Sequence, residues 1–297
     1  MSITSDKLVF LTPSYRNDVE RFLLLRSSIK HFCEDPHQHI VLVPSKDVAL
    51  FKNKSRGDSE LIILEQEEFI HPRFYASSFL KIIDYLAPSQ SWRLARFKGK
   101  SGWIHQQIIK LCLPQLIDTA PVLIADSDMF FVDTISKEKL GLCNKAKVLM
   151  RDTPSTESGK HREHMKCSRE ILGLPPGSTE HHYMTSPQIW YPEYVSLLRE
   201  HLENTYQLDW QLALHKSGSM SEYLLYGLFV EEFIKPKNLS IAPPLPYYIA
   251  WDDSSYSKAI TAPLECLENN LSLVIQSNIG HEASEYKHIF EQAASKV

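Results

Sequence analysis

Short apolar runs alternating with helix-period stretches lay out most of the chain. Leu8–Leu11 is a four-residue apolar run followed by Thr12-Pro13-Ser14-Tyr15, which predicts a buried first strand feeding a turn. Val19, Phe22, Leu23, Ile29 and Phe32 then fall on helical spacing, with Asp18 placed to cap that helix. His39–Val43 and Leu61–Leu64 read as two further strands, so the chain opens strand, helix, strand, strand. Residues 74–87 and 103–117 predict helices, and Val122–Ala125 and Lys147–Met150 predict strands. The stretch 151–180 turns polar and rich in Pro and Gly, which predicts a long loop holding a short helix near 161–172. Helices at about 191–204 and 221–232, strands at Ser240–Ala242 and Leu271–Ile275, and a final helix near 283–294 complete the pattern. Strands feeding helices in this order predict an α/β architecture.

Composition narrows the possibilities. With 297 residues, 43% hydrophobic and 23% charged, the chain suits a folded globular protein and is read as a single domain. A net charge of −4 gives no reason to expect a nucleic-acid partner. No run approaches the roughly 18–20 apolar residues of a spanning helix. The first residues lack the basic start and long apolar stretch of a secretory signal. The five cysteines are widely spaced, odd in number and without a C-x-x-C pair, so they are expected to be free thiols. A cytoplasmic protein is the expectation, with peripheral attachment to the inner face of a membrane left open.

The chemistry concentrates at Asp126-Ser127-Asp128, where the apolar run Val122–Ala125 ends. In a strand, residues i and i+2 point to the same side, so a D-x-D at a sheet's mouth aims two hard oxygen ligands at one point. Mg²⁺ and Mn²⁺ take such ligands and commonly share their shell with substrate phosphates. The plainer alternative is two solvated acids at a strand end. Between Asp84 and Asp118 there is no acidic residue, whereas Arg93, Arg96, Lys98, Lys100 and Lys110 fall in that window. Basic charge just ahead of an acidic metal site suits a nucleotide diphosphate. Trp103, Gln107 and Lys110, at spacings of four and three, share one helical face.

Four segments together resemble the GT-A-fold glycosyltransferases of bacteria, in particular a DxD-containing group associated with surface polysaccharides. They are Phe10–Tyr15, the Gly-Trp-x-x-Gln-Gln-x-x-Lys-Leu stretch from Gly102, Asp126-Ser127-Asp128, and Ser221-Glu222-Tyr223-x-x-Tyr226-Gly227. The resemblance covers roughly residues 7 to 281. It implies a Rossmann-like mixed central sheet flanked by helices, with a long acceptor-side loop. Residues up to about 135 would bind the nucleotide sugar and the remainder the acceptor. Thr12, Pro13, Ser14 and Tyr15 would hold the nucleobase and ribose, joined on the donor side by Lys98, Trp103, Gln107, Lys110 and Ser127. Asp128 would ligate Mn²⁺ or Mg²⁺ directly, Asp126 would contact ribose or a metal-bound water, and His281 would complete the metal shell.

The resemblance further implies that Glu222, at the start of a helix with Ser221 as N-cap, is the base of an inverting enzyme. Asp252 and Asp253 compete for that role, and the lack of the more familiar Glu-Asp pair leaves the stereochemical outcome open. Thr185 and Ser186 would contact the acceptor, and Trp251 would stack on a sugar ring. The implied reaction moves a sugar, most readily from a UDP-sugar, to a hydroxyl of a glycan or glycolipid in surface-polysaccharide synthesis. Two alternatives stand beside it. One is a phosphohydrolase of the haloacid dehalogenase type, which also uses an Asp-x-Asp but normally places it after the first strand. The other is a sugar- or nucleotide-binding protein without activity.

Overall fold

The first strand, β1 (Leu8–Pro13), is buried at all six positions, because it lies in the middle of a sheet covered on both faces. It leads through α1 (Val19–Phe32) to β2 (His37–Val43), and then through α2 (Ser45–Lys54) to β3 (Leu61–Glu65). The computed structural model describes residues 6–72, 101–152, 159–177, 181–216 and 219–296. The helix expected at 74–87 and the basic positions Arg93, Arg96, Lys98 and Lys100 lie outside the described residues. β1 pairs in parallel with β2, and β2 with β3. Parallel neighbours need a crossover, and α2 supplies the one missing from the expected strand, strand order. β2 shows the period-2 alternation of a strand covered on both sides. Ile40 and Leu42 enter the main core, whereas Val41 and Val43 pack with Phe22, Val48 and Phe51 beneath α1 and α2.

After α3 (Ser101–Lys110) a short 3-10 turn spans Leu113–Gln115, so the helix stops earlier than the expected 117. Pro114 explains this, since it has no N–H to continue the ladder. The chain then forms β4 (Val122–Ile124), β5 (Met129–Phe131), β6 (Lys147–Met150), α4 (Gly159–Ile171), β7 (Gln188–Trp190), α5 (Pro192–Tyr206) and α6 (Trp210–Lys216). Next come α7 (Glu222–Phe229), extended by a π-type turn over Val230–Ile234, then β8 (Leu239–Ala242), β9 (Tyr247–Ala250), α8 (Asp253–Thr261), α9 (Pro263–Leu267), β10 (Ser272–Ile275) and α10 (Ala283–Ala294). The short helix expected near 161–172 is α4, thirteen residues long. Its sequence is polar, with Met165 and Ile171 among its few apolar residues to enter the core.

The main sheet has the order β3-β2-β1-β4-β7, parallel except for β7. Chain order reverses between β1 and β4, which opens a crevice at their carboxyl ends, where ligands bind in open α/β sheets. A second sheet, β5-β10-β9, and a parallel pair, β6 and β8, complete the mixed architecture. All five cysteines are free thiols, as expected. Among the described residues no helix is long and apolar enough to cross a membrane.

Candidate functional site

The floor of the crevice is tied together by Thr12. Its hydroxyl donates to the Ala125 carbonyl at 2.7 Å and lies 2.9 Å from His39 Nε2. Because the Thr12 proton is committed to Ala125, His39 must be the donor, which fixes its tautomer. Burial pushes the His39 imidazole well below its usual pKa, so the ring stays neutral. Thr12 is fully buried and joins β1 to the segment entering Asp126, a framework position rather than the expected nucleotide contact. Pro13, the last residue of β1, and Ser14 are buried too, and the Ser14 hydroxyl has no partner among the described residues. Of the four residues Thr12–Tyr15, Tyr15 is the exposed one, at 37%.

Asp126-Ser127-Asp128 is not the end of a strand. β4 stops at Ile124 and the motif forms a turn, with the Met129 N–H donating to the Asp126 carbonyl, before β5 enters the other sheet. The same-side rule for strand neighbours therefore fails here, and the two acids have different partners. Asp126 turns to α3 and α7. Its Oδ1 is 2.7 Å from Lys110 Nζ, and its Oδ2 accepts from the Tyr223 hydroxyl at 2.9 Å. Asp128 turns to β10. Its carbonyl accepts from Ile275 N–H at 2.8 Å, and its Oδ2 accepts from Ser277 N–H at 3.3 Å. Ser127 donates to Asp18 at 3.4 Å, which sets it in the framework under the motif.

Lys110 is the centre of the Asp126 side. Its ammonium has three donors and three acceptors: Asp126, Glu222 Oε1 at 2.6 Å and the Tyr223 oxygen at 3.1 Å. Burial works against its charge, but Asp126 and Glu222 outweigh burial and raise its pKa well above the usual value. Burial and the neighbouring Asp126 charge likewise raise the Tyr223 phenol well above its ordinary range, so it remains a donor. Glu222 opens α7 as expected, and Ser221 sits at its N-cap. The capping differs from expectation: the Ser221 hydroxyl makes no cap bond, and Gln107 Oε1 accepts the Glu222 N–H instead. Gln107 thus serves α7, with 5% exposure. Trp103 stands on the same helix.

On the Asp128 side, Asp18 is also N-terminal to its helix without a cap bond. Its carboxylate pairs with Arg21 at 2.8 Å, and Arg21 reaches on to the His281 carbonyl at 2.6 Å. Burial raises the Asp18 pKa, which Arg21 opposes. Burial, and then the negative charge of Asp126, raise Asp128 to about 7. Among the described residues, four carboxylates, those of Asp18, Asp126, Asp128 and Glu222, surround the turn against two cations, Lys110 and Arg21. This surplus of hard oxygen donors suits a divalent cation. Among the described residues, no group of three or more His, Cys, Asp or Glu side chains is disposed around one metal position.

The remaining candidates lie apart from this network. The His281 side chain faces Glu285 at 3.1 Å and Asp253 at 3.4 Å and stacks on Tyr256 with ring centroids 3.6 Å apart. Its ring nitrogens are therefore turned to those carboxylates. Asp252 is an exposed N-cap of α8, accepting from Ser255 N–H at 2.8 Å in a capping box, and those bonds lower its pKa. Trp251 is 59% exposed beside it, free to meet a ligand face. Thr185 is 3% exposed and accepts from Gln188 Nε2 at 2.7 Å, so it packs the approach to β7 rather than offering an acceptor a hydroxyl. The Ser186 hydroxyl lies 3.1 Å from the sulfur of Met129, just past the motif.

Sequence reasoning passed over Asp18, Arg21 and Tyr223 as site residues. The available signal was an Asp–Arg pair at i, i+3 next to the first loop, and a Tyr directly after Glu222. The remainder of that helix motif has a packing role. Tyr226 stacks on Trp190 and accepts the Tyr191 N–H, and a Cβ at Gly227 would lie 2.1 Å from the Tyr183 ring.

The fold is shared with solved structures of the GT-A type. The bifunctional glycosyltransferase WbbM, in its apo form, superposes with a TM-score of 0.51 at 13% identity, over 99% of this chain and 50% of that one, so this chain spans half of WbbM. The galactosyltransferase LgtC, solved with donor and acceptor sugar analogs, gives a TM-score of 0.47 at 11% identity over 98% and 96% of the two chains. An active-site mutant of LgtC gives the same score at 12% identity, over 97% and 96%. No curated protein matches the chain by sequence. Residues 8–240 match the family described as "Family of unknown function (DUF6492)", and the chain belongs to that family.

Proposed function

We propose that the protein is a glycosyltransferase that takes a sugar from a nucleoside-diphosphate donor, a UDP-sugar first among them, and passes it to a hydroxyl of a glycan or glycolipid. The observation that carries this reading is the Asp126-Ser127-Asp128 turn at the reversal between β1 and β4, with its surplus, among the described residues, of carboxylate over cationic charge. The GT-A architecture shared with WbbM, itself a glycosyltransferase, supports it. Surface-polysaccharide synthesis is the setting that the motif resemblance favours.

In this reading Asp128 is the direct ligand of Mn²⁺ or Mg²⁺, since its carboxylate has a backbone N–H for a partner and, among the described residues, no cation paired with it. A bound divalent ion would neutralise charge on the leaving diphosphate. Asp126, held by Lys110 and Tyr223, presents its carboxylate in one orientation toward ribose or toward water around the ion. Tyr15, exposed just after β1, would meet the base. Trp251 offers an open aromatic face to a sugar.

Glu222 is engaged by Lys110, Asp252 by a helix cap and Asp253 by His281, so each of the three carboxylates expected as base already has a partner. That favours retention of configuration over the inverting outcome implied by resemblance. The test is a panel of UDP-, GDP- and CDP-linked sugars with Mn²⁺, read by thermal shift and then by sugar release. A shift and Mn²⁺-dependent release with one donor are expected; no response to any of them would sink the assignment. The anomeric configuration of the product, read by NMR, decides between the two stereochemical outcomes.

A further inference from the structure

We infer that Glu222 is a positioning residue that acts through Lys110 and Tyr223 on Asp126, so that the start of α7 sets the orientation of the first D-x-D carboxylate. The inference rests on the transferase reading above and assigns Glu222 a different task from proton abstraction.

The geometry runs in one chain from α7 to the motif. Glu222 Oε1 is 2.6 Å from Lys110 Nζ, which is 2.7 Å from Asp126 Oδ1. The adjacent residue closes the loop: the Tyr223 oxygen accepts from Lys110 at 3.1 Å, and its hydroxyl donates to Asp126 Oδ2 at 2.9 Å. Both oxygens of Asp126 are thereby held from α3 and α7, and a carboxylate gripped at two points cannot rotate. Lys110 alone would not achieve this, because an ammonium on a four-carbon stem is a mobile point charge. Glu222 anchors it at a second point. Glu222 is itself anchored through its backbone, since Gln107, one turn before Lys110 on α3, accepts its N–H at 3.0 Å. Two successive α3 positions on one helical face thus grip one end of α7.

Burial supports positioning over proton transfer. The side chains of Lys110 and Glu222 are 5% and 3% exposed, whereas that of Asp126 is 35% exposed. The network is closed at Glu222 and open at Asp126, so a ligand meets Asp126. A buried ion pair contributes little to stability beyond an apolar pair of the same shape. Its value here is orientation, as with the outer partners of metal-ligating groups, whose loss typically costs about 10- to 100-fold in metal affinity or activity.

The experiment is calorimetric titration of Mn²⁺ together with UDP, GDP and CDP in turn, on the full chain and on two variants, with melting temperatures alongside. Glu222→Gln is expected to weaken binding of the Mn²⁺–nucleotide by about 10- to 100-fold. The double variant Lys110→Met/Glu222→Leu replaces the ion pair with apolar side chains and guards against simple misfolding. It is expected to melt close to the native protein and yet bind no better than Glu222→Gln. A Glu222→Gln protein that binds Mn²⁺–nucleotide like the native chain and loses only turnover would mark Glu222 as the base and overturn the inference. Recovery of native binding in the double variant would reduce the pair to a structural role, which also overturns it. Native protein that binds none of the three nucleotides would overturn the transferase reading itself, a separate failure.

Discussion

Two acidic regions flank the crevice, and their charges are handled in opposite ways. Around Lys110 the carboxylates of Asp126 and Glu222 are drawn onto one buried ammonium, and every donor of that ammonium is used. Around His281 the acids Asp252, Asp253 and Glu285 sit at the surface, capping helices or lying beside one imidazole that solvent reaches. In the first region each group depends on the others, because an unpartnered buried charge is costly. In the second each group is screened by water and answers mainly to its own helix end. In sequence both regions offered a carboxylate as a base, Glu222 in one and Asp252 or Asp253 in the other. Burial is what separates an organised network from local capping.

That contrast can be broken most forcefully at Lys110. Lys110→Met strands the buried Glu222 carboxylate and leaves Asp126 with Tyr223 alone, and should destabilise the fold by about 3–5 kcal/mol. Urea denaturation would read this, and a change under about 1 kcal/mol would show that the pair is not buried in solution. Next in size is Asp128→Ala, expected to abolish Mn²⁺-dependent sugar release while the melting temperature holds or rises, because a carboxylate raised to about 7 by burial and Asp126 is a burden on the fold. Full activity in that variant would remove Asp128 from the metal site.

A pH effect follows from the same group. Its folded pKa lies above that of a free aspartate, so the folded state holds the extra proton, and stability is lost as pH rises from about 4 to about 7. Metal-free native protein should therefore melt lower at pH 7 than at pH 5 relative to Asp128→Asn, and saturating Mn²⁺ should erase that difference. A Mn²⁺-free slope identical in the two proteins would contradict it. The smallest effect is expected on the exposed side. Asp252→Ala removes a helix cap and should lower the melting temperature slightly with sugar release unchanged. A loss of release would return Asp252 to the reaction and dissolve the distinction between the two regions.

Much of the fold was readable along the chain where periodicity was strong. Leu8–Leu11, His39–Val43, Val122–Ala125 and the C-terminal helix stand within a residue or two of β1, β2, β4 and α10. α2 and β9 escaped because Ser45–Lys54 offers two buried apolar anchors three apart, too few for a helical stripe, and Tyr247–Ala250 is partly exposed. The site was legible in its residue types. Asp126, Asp128, Lys110, Gln107 and Glu222 were all picked out from sequence, and the structure brings Asp126, Lys110, Gln107 and Glu222 into one network. Their roles were not legible, since Gln107 caps a helix from outside it and Thr12 braces two strands.

The amino-acid sequence by itself determined the alternation of strands and helices, the place of the D-x-D after an apolar strand, and the free state of the cysteines. These follow from local pattern, which a few neighbouring residues carry. Tertiary structure alone decided that Asp126 and Asp128 part company in a turn, that Glu222 pairs with Lys110 across 112 positions of chain, and that Asp252 stays in solvent. The physical reason is that a charged group takes its role from how much water surrounds it and which opposite charge it meets. Both are set by elements far apart in sequence.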